Sequence, residues 1–249
     1  MRERPTVLLL HGGPGSFDHS YFKPDFGRLS KAAQVVYLDL PGHGRSDWGD
    51  PASWSFEACA DDVRAFCDEV GIAGPVVLGH SLGGFVAMVY AARHPAHPSA
   101  LVLQSTLARF DLDRLVETFR RAAEDDVADI ARRSYGADRE SVTPEEWARC
   151  WAQFGSWVTG DQERARTIVN QELNAPGLEL MRRFDVLDQL GRIKCPTLVC
   201  VGAVDPMGSV AAAHEIVDAL PDGIARPEVI EGARDTSPGR THPTAIGHS

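Results

Sequence analysis

With 249 residues, 43% of them hydrophobic, the chain is long enough for one large domain or for a core carrying an insertion, and low-complexity sequence is absent. A formal net charge of −10 with no basic run argues against nucleic acid and anionic membranes as partners. Five scattered cysteines without a CxxC pair fit a reducing compartment and no structural zinc. The short apolar run after Met1-Arg2-Glu3-Arg4-Pro5 provides neither a signal peptide nor a membrane span, so a cytoplasmic location is expected.

The first predicted strand is Val7–Leu10, and His11-Gly12-Gly13-Pro14-Gly15 follows it. Glycine-rich turns leave backbone N–H groups unobstructed, as an oxyanion hole requires. The second run, Val35–Leu40, leads into Asp39-Leu40-Pro41-Gly42-His43-Gly44-Arg45-Ser46-Asp47, a loop by its Gly and Pro content that is expected to pack near the site without a catalytic role. A helix is predicted over Phe56–Val70. The run Val76–Leu78 then meets Gly79-His80-Ser81-Leu82-Gly83, a G-x-S-x-G pattern, with a helix expected from Leu82 to His94. This motif sets a serine on a sharp strand-to-helix turn, where a base can reach its hydroxyl. Gly13 N–H, paired with that of Leu82, could then hold a developing negative oxygen.

Ala100–Leu103 is the next strand. From Ala108 to Ile193 the strand signal stops and the chain reads as helices. Thr143-Pro144-Glu145-Glu146 marks one helix start, since Thr can cap, Pro fits the first position and acids favour the N-terminus. Trp147, Trp151 and Phe154 follow at helical spacing with Trp157 close behind. They are expected mainly to pack the insertion's own core, with Trp151 a candidate to line an apolar substrate pocket. The strand Thr197–Val201 ends in Gly202-Ala203-Val204-Asp205-Pro206, an acid placed to orient a histidine. A helix over Val210–Leu220 and a strand over Pro227–Ile230 complete the alternation. Strands alternating with helices predict an α/β fold: a mostly parallel central sheet with helices on both faces and chemistry at the carboxyl ends of the strands. The expected division is 1–108 and 192–249 for the core and 109–191 for a helical cap.

HGGPG, DLPGHGRSD, GHSLGG and the GxxDP pattern, in this order from Val7 to Ile230, resemble the α/β-hydrolase family. The resemblance implies Ser81 as nucleophile, Asp205 as triad acid, and the N–H groups of Gly13 and Leu82 as oxyanion hole. Gly12, His80 and Trp151 are candidate substrate contacts. No metal or organic cofactor is implied, and the expected partners are a small-molecule substrate and at most a second copy of the chain in a homodimer. HGGPG resembles the prolyl aminopeptidase branch, whose elbow is usually Gly-Gly-Ser-Trp-Gly. The different elbow here moves the expectation toward hydrolysis of a small carboxylic ester or lactone. A peptidase would need a carboxylate in the cap for the substrate's amino group, for which Glu145, Glu146 and Asp161 are available.

Two departures from the family pattern stand out. The family usually has a β-hairpin ahead of the HGGPG strand, whereas only about six residues precede Val7 here, so a shorter sheet edge or a truncated chain is expected. After its last strand the family usually continues Gly-Ala-Gly-His, but this chain reads Glu231-Gly232-Ala233-Arg234-Asp235, with Asp235 where the histidine belongs. A GC-rich back-translation from Arg234, read in another frame, gives Gly-His-Leu-Pro-Trp-Gln-Asp-Pro-Pro-Asp, which resembles the family's continuation. A shift of one or two nucleotides near Glu231–Arg234 is the expectation that follows. In the chain as written, His242 and His248 are the histidines beyond the last strand, and His242 is the candidate base. Without a base, the chain would be a ligand-binding homologue that has lost turnover.

Overall fold

The computed structural model describes residues 4–122, 125–147, 149–150, 167–203, 205 and 207–231. Six strands form one sheet: β1 Thr6–Leu10, β2 Gln34–Leu38, β3 Val76–His80, β4 Ala100–Gln104, β5 Thr197–Gly202 and β6 Ala225–Ile230. Their order is β2-β1-β3-β4-β5-β6, and every neighbouring pair is parallel. The helices that matter below are α1 Phe56–Glu69, α2 Leu82–Arg93, α3 Leu112–Ala122, α4 Asp125–Tyr135, α5 Gln171–Arg182, α6 Leu187–Leu190 and α7 Val210–Ala219.

Each predicted apolar run overlaps a strand, because parallel strands covered on both faces carry no polar alternation. The boundaries shift for local reasons. β2 stops at Leu38, short of the end of its apolar run, since Asp39 turns to accept N–H groups from His19 and Arg45 while Leu40 N–H goes to a ring nitrogen of His11. β6 begins at Ala225, ahead of the predicted Pro227, and as an edge strand it tolerates that proline. Leu10 pairs with Gly79, Gly79 with Leu103 and Leu103 with Val199, so the loops after these strands open along one edge of the sheet.

α2 explains itself by composition. Every residue but Arg93 is buried, as expected of a helix that is apolar all round. α1 is amphipathic instead, capped by Ser55, with Phe56, Cys59, Ala60, Val63 and Cys67 facing inward. Phe184, from the end of the insertion, stacks on Phe85 at 4.2 Å and meets Phe56 edge-on at 4.9 Å. On the opposite sheet face Leu9, Leu78 and Phe22 form a smaller cluster beneath short helical turns at His19–Phe22, Lys23–Phe26 and Gly27–Lys31. These turns are too short to show a 3.6-residue period, and nothing in the sequence announces them.

Between β4 and β5 the described residues form helices and loops, closed at the neck by an isolated bridge, Arg109 to Asp185. Phe110 N–H donates to the Phe184 carbonyl and Val186 N–H to the Ala108 carbonyl, each at 2.9 Å. The start signal at Thr143 is realised as a reciprocal cap: Glu146 N–H donates to Thr143 Oγ1 and Thr143 N–H to Glu146 Oε2. Trp147 packs on Tyr135 under the Arg139 guanidinium, within the insertion, as its spacing suggests. Trp151, Phe154 and Trp157 lie outside the described residues. Among the described residues, no helix is long and apolar enough to cross a membrane.

Candidate active site

Ser81 sits between β3 and α2 with φ +52° and ψ −120°, a conformation L-residues adopt only under strain. Several bonds hold it there. Ser81 N–H donates to the Gln104 carbonyl at 2.9 Å, and the Ser81 carbonyl accepts from Gly84 N–H and from Thr106 Oγ1, both at 2.8 Å. The Ser81 side chain makes no capping bond into α2. Close approach explains the glycine at 83: a β-carbon there would fall 2.0 Å from the Leu10 carbonyl oxygen. The turn is therefore fixed by β1, β4 and α2 together, and Thr106 reports on it. Thr106→Val keeps the shape, removes one bond to the Ser81 carbonyl, and is expected to cost about 1 kcal/mol in urea unfolding.

The loop after β1 lies against this turn. A β-carbon on Gly12 would sit 3.4 Å from Ser81 Cβ and from His80 Nδ1. Gly12 therefore runs beside Ser81, with Gly13 next to it against the His43 ring, and Leu82, the first residue of α2, has an N–H without an intrahelical acceptor. Two histidines shape this loop. His11, fully buried, hydrogen-bonds through Nδ1 to the Gly12 carbonyl at 2.6 Å and accepts Leu40 N–H at Nε2. His43, also fully buried, accepts Gly15 N–H at Nε2 (2.9 Å) and bonds through Nδ1 to the Pro41 carbonyl. In both, one nitrogen must donate and the other accept, so both rings are neutral.

Burial, then the neighbouring His43, pushes His11 down to about 3, while burial also lowers His43. An unfolded histidine takes up a proton near pH 6.5 that folded His11 refuses until about pH 3. Its contribution to stability is therefore complete above pH 6.5 and is lost as pH falls toward 3, amounting to roughly 5 kcal/mol across that window. Urea midpoints are expected to drop steeply between pH 7 and pH 4, and His11→Asn to flatten that slope.

His80 is buried, and its Nδ1 is hydrogen-bonded to the Tyr21 hydroxyl, with Tyr21 and Phe22 packed around the ring. Asp205 follows β5 and is almost fully buried. Its Oδ1 accepts the N–H groups of Met207 and Gly208, both at 2.9 Å. Gly208 in turn packs against Ser105 and Thr106, the same Thr106 that bonds the Ser81 carbonyl. The Asp205 loop and the Ser81 turn thus share one wall at the end of β4. Of the sequence-predicted site residues, the structure gathers Ser81, Leu82, Gly12, Gly13, His80 and Asp205 along one sheet edge. Trp151 and His242 lie outside the described residues.

Among the described residues, Asp18, His19 and Asp39 bring ligand-type atoms within 4.8 Å of one another. Their oxygens are already engaged: Asp39 accepts from His19 N–H, the His19 ring and Arg45 N–H, and Asp18 from Ser20 and Ile168. Burial alone would raise the Asp39 carboxyl, but these donors hold it below its ordinary value. The cluster reads as a structural junction between loops. Sequence reasoning missed this junction, as well as the partners of His43 and Thr106. Their only signal was membership of loops next to motif residues.

A family profile described as the alpha/beta hydrolase fold matches residues 5–237. The chain belongs to the α/β-hydrolase family and is a hydrolase of that kind. It is 30% identical over 232 residues to a pimeloyl-[acyl-carrier protein] methyl ester esterase of Chromobacterium violaceum, covering 88% of this chain and 84% of that protein. It is 27% identical over 235 residues to a proline iminopeptidase of Pestalotiopsis fici, covering 87% and 82%. Among solved structures it resembles a thermophilic esterase from Thermogutta terrifontis, with TM-score 0.66, 27% identity, and 92% and 82% of the two chains covered. It also resembles an enol-lactonase from Burkholderia xenovorans, with TM-score 0.62, 25% identity, and 92% and 83% covered.

Proposed function

We propose that this hydrolase cleaves a small carboxylic ester or lactone through an acyl-enzyme on Ser81. The observation that carries the reading is the strained turn at Ser81, whose carbonyl is held by Gly84 and Thr106 while its hydroxyl serves no capping role. Ser81 Oγ attacks the substrate carbonyl as a histidine takes its proton; Asp205 orients that histidine and stabilises its charged form; Gly13 and Leu82 N–H bind the oxyanion. The histidine is His242, from the segment after β6. Water then repeats the cycle on the acyl-enzyme. Residues 109–191 form the cap, and Gly12, His80 and Trp151 belong to the substrate's surroundings. His80 acts there through Tyr21, which fixes its ring.

The relatives include esterases, a lactonase and proline iminopeptidases alike, and it is the Gly79-His80-Ser81-Leu82-Gly83 elbow that supports this choice over peptide hydrolysis. So does Glu146, whose carboxylate is already committed to Arg133 and Thr143 N–H and is poorly placed to greet a substrate amine. The test pairs a fluorophosphonate probe with substrate panels. Rapid labelling of Ser81, with p-nitrophenyl esters or lactones turned over faster than proline anilides, is the expected result. Preference for the anilides would move the chain to the peptidase branch. No labelling of a folded protein would make it a binding homologue.

A further inference from the structure

Gly15 has both backbone polar groups clamped. Its N–H donates to His43 Nε2 at 2.9 Å, and its carbonyl accepts Asn170 N–H at 2.8 Å. Its φ is +68°, and a β-carbon there would lie 2.3 Å from the Asn170 carbonyl oxygen, so glycine is required. The two clamps are themselves joined. Asn170 Nδ2 donates to the carbonyl of Gly42, the neighbour of His43, at 2.9 Å. The result is a closed circuit through Gly15, His43, Gly42 and Asn170. It ties three segments together: the loop after β1 that carries Gly13, the loop after β2, and the point where the insertion returns at the start of α5.

Asn170 is 2% exposed, and its Oδ1 is also used, accepting Glu172 N–H to cap α5. Two contacts reinforce the junction on either side. Ile168 N–H donates to the fully buried Asp18 at 2.9 Å, and Gly177 of α5 packs against the Pro14 ring. The insertion thus grips the segment 14–18 at several points.

We infer that Asn170 is a positioning residue that couples the insertion to the Gly12–Gly15 loop, so that Gly13 N–H is aimed at the oxyanion only while the insertion is docked. This rests on the oxyanion role proposed above for Gly13. A donor displaced by an ångström acts on the transition state and scarcely on the bound substrate, so the loss falls on kcat and spares KM.

The discriminating variant is Asn170→Asp, which keeps the Oδ1 cap on α5 and deletes the Nδ2 donor to Gly42. Arg183→Ala, which breaks an exposed pair with Glu179 on the same helix, is the control. Hydrogen exchange of peptides covering residues 11–18 is expected to quicken about tenfold in Asn170→Asp and to stay unchanged in Arg183→Ala. With p-nitrophenyl esters, kcat is expected to fall about 10- to 100-fold in Asn170→Asp with KM within about twofold. Unchanged exchange at 11–18 overturns the coupling whatever the activity does. Faster exchange with unaltered kcat, in an enzyme that turns over through Ser81, overturns the positioning role. If the wild-type chain neither labels nor turns over, the Ser81 hydrolase reading has failed, and the exchange result alone decides for or against the coupling.

Discussion

Ser81→Ala is expected to abolish fluorophosphonate labelling and to cut p-nitrophenyl ester turnover by about 10³- to 10⁴-fold, measured side by side with the wild-type chain. The remaining rate would come from oxyanion binding and substrate positioning, which the substitution leaves in place. Stability should hardly move, because Ser81 Oγ makes no capping bond and Ala suffers the same positive φ as Ser. Ser81→Gly separates strain from chemistry. Glycine accepts φ +52° without penalty, so this variant should be equally inactive yet about 1 kcal/mol more stable in urea unfolding. Loss of activity with a gain in stability would identify the turn as a place where the fold gives up stability for a reactive geometry. A Ser81→Ala protein that still labels would place the nucleophile elsewhere and end the reading.

His242→Ala is expected to lower kcat by about the same 10³- to 10⁴-fold, because the proposed base would act as a unit with Ser81 and Asp205. The companion experiment moves the imidazole. In the double variant Asp235→His, His242→Ala, activity is expected to return, since the resemblance to the family places the base five residues after Ile230, the end of β6. Asp205 supplies the physical ground: Oδ1 is fixed by Met207 and Gly208 N–H, so the carboxylate keeps its orientation whichever side chain approaches it. Sequencing the gene across Glu231–Arg234 bears on the same point. The frame-shift expectation requires codons for Asp235 and Thr236 that read GAC ACN. Any other pair removes it, and the His242→Ala result then decides between His242 as base and a chain without one.

The parts legible in the sequence are those set by short-range pattern. The strands announced themselves as continuous apolar runs because both sheet faces are covered. α2 was legible because it is apolar all round, and Ser81 because glycines at fixed offsets permit only one kind of turn. The family resemblance then assigned roles to Ser81, Asp205, Gly13 and Leu82. What sequence could not carry was any pairing across distance. Asn170 meets Gly42 across 128 positions and Ile168 meets Asp18 across 150, and neither Asn170 nor Ile168 sits in a motif. His43 fell within a recognised loop, but its partner Gly15 N–H is visible only once β1 and β2 lie side by side. The turns over residues 19–31 escaped notice because each is only four or five residues long.

The neck of the insertion has an evolutionary consequence. Ala108 and Val186 are hydrogen-bonded to each other, and β4 and β5 are adjacent in the sheet. Everything between them can therefore be exchanged for another segment without rethreading the core, much as a tool head is changed on a fixed handle. The exchange has one condition. A newcomer must again present a buried side-chain donor to the Gly42 carbonyl as it returns to the sheet, or the handle itself loses its grip on the loop beside Ser81. Recombination at this neck would thus be free in shape but constrained in its last few residues, and the imprint of that constraint should be found at Asn170 rather than in the helices that precede it.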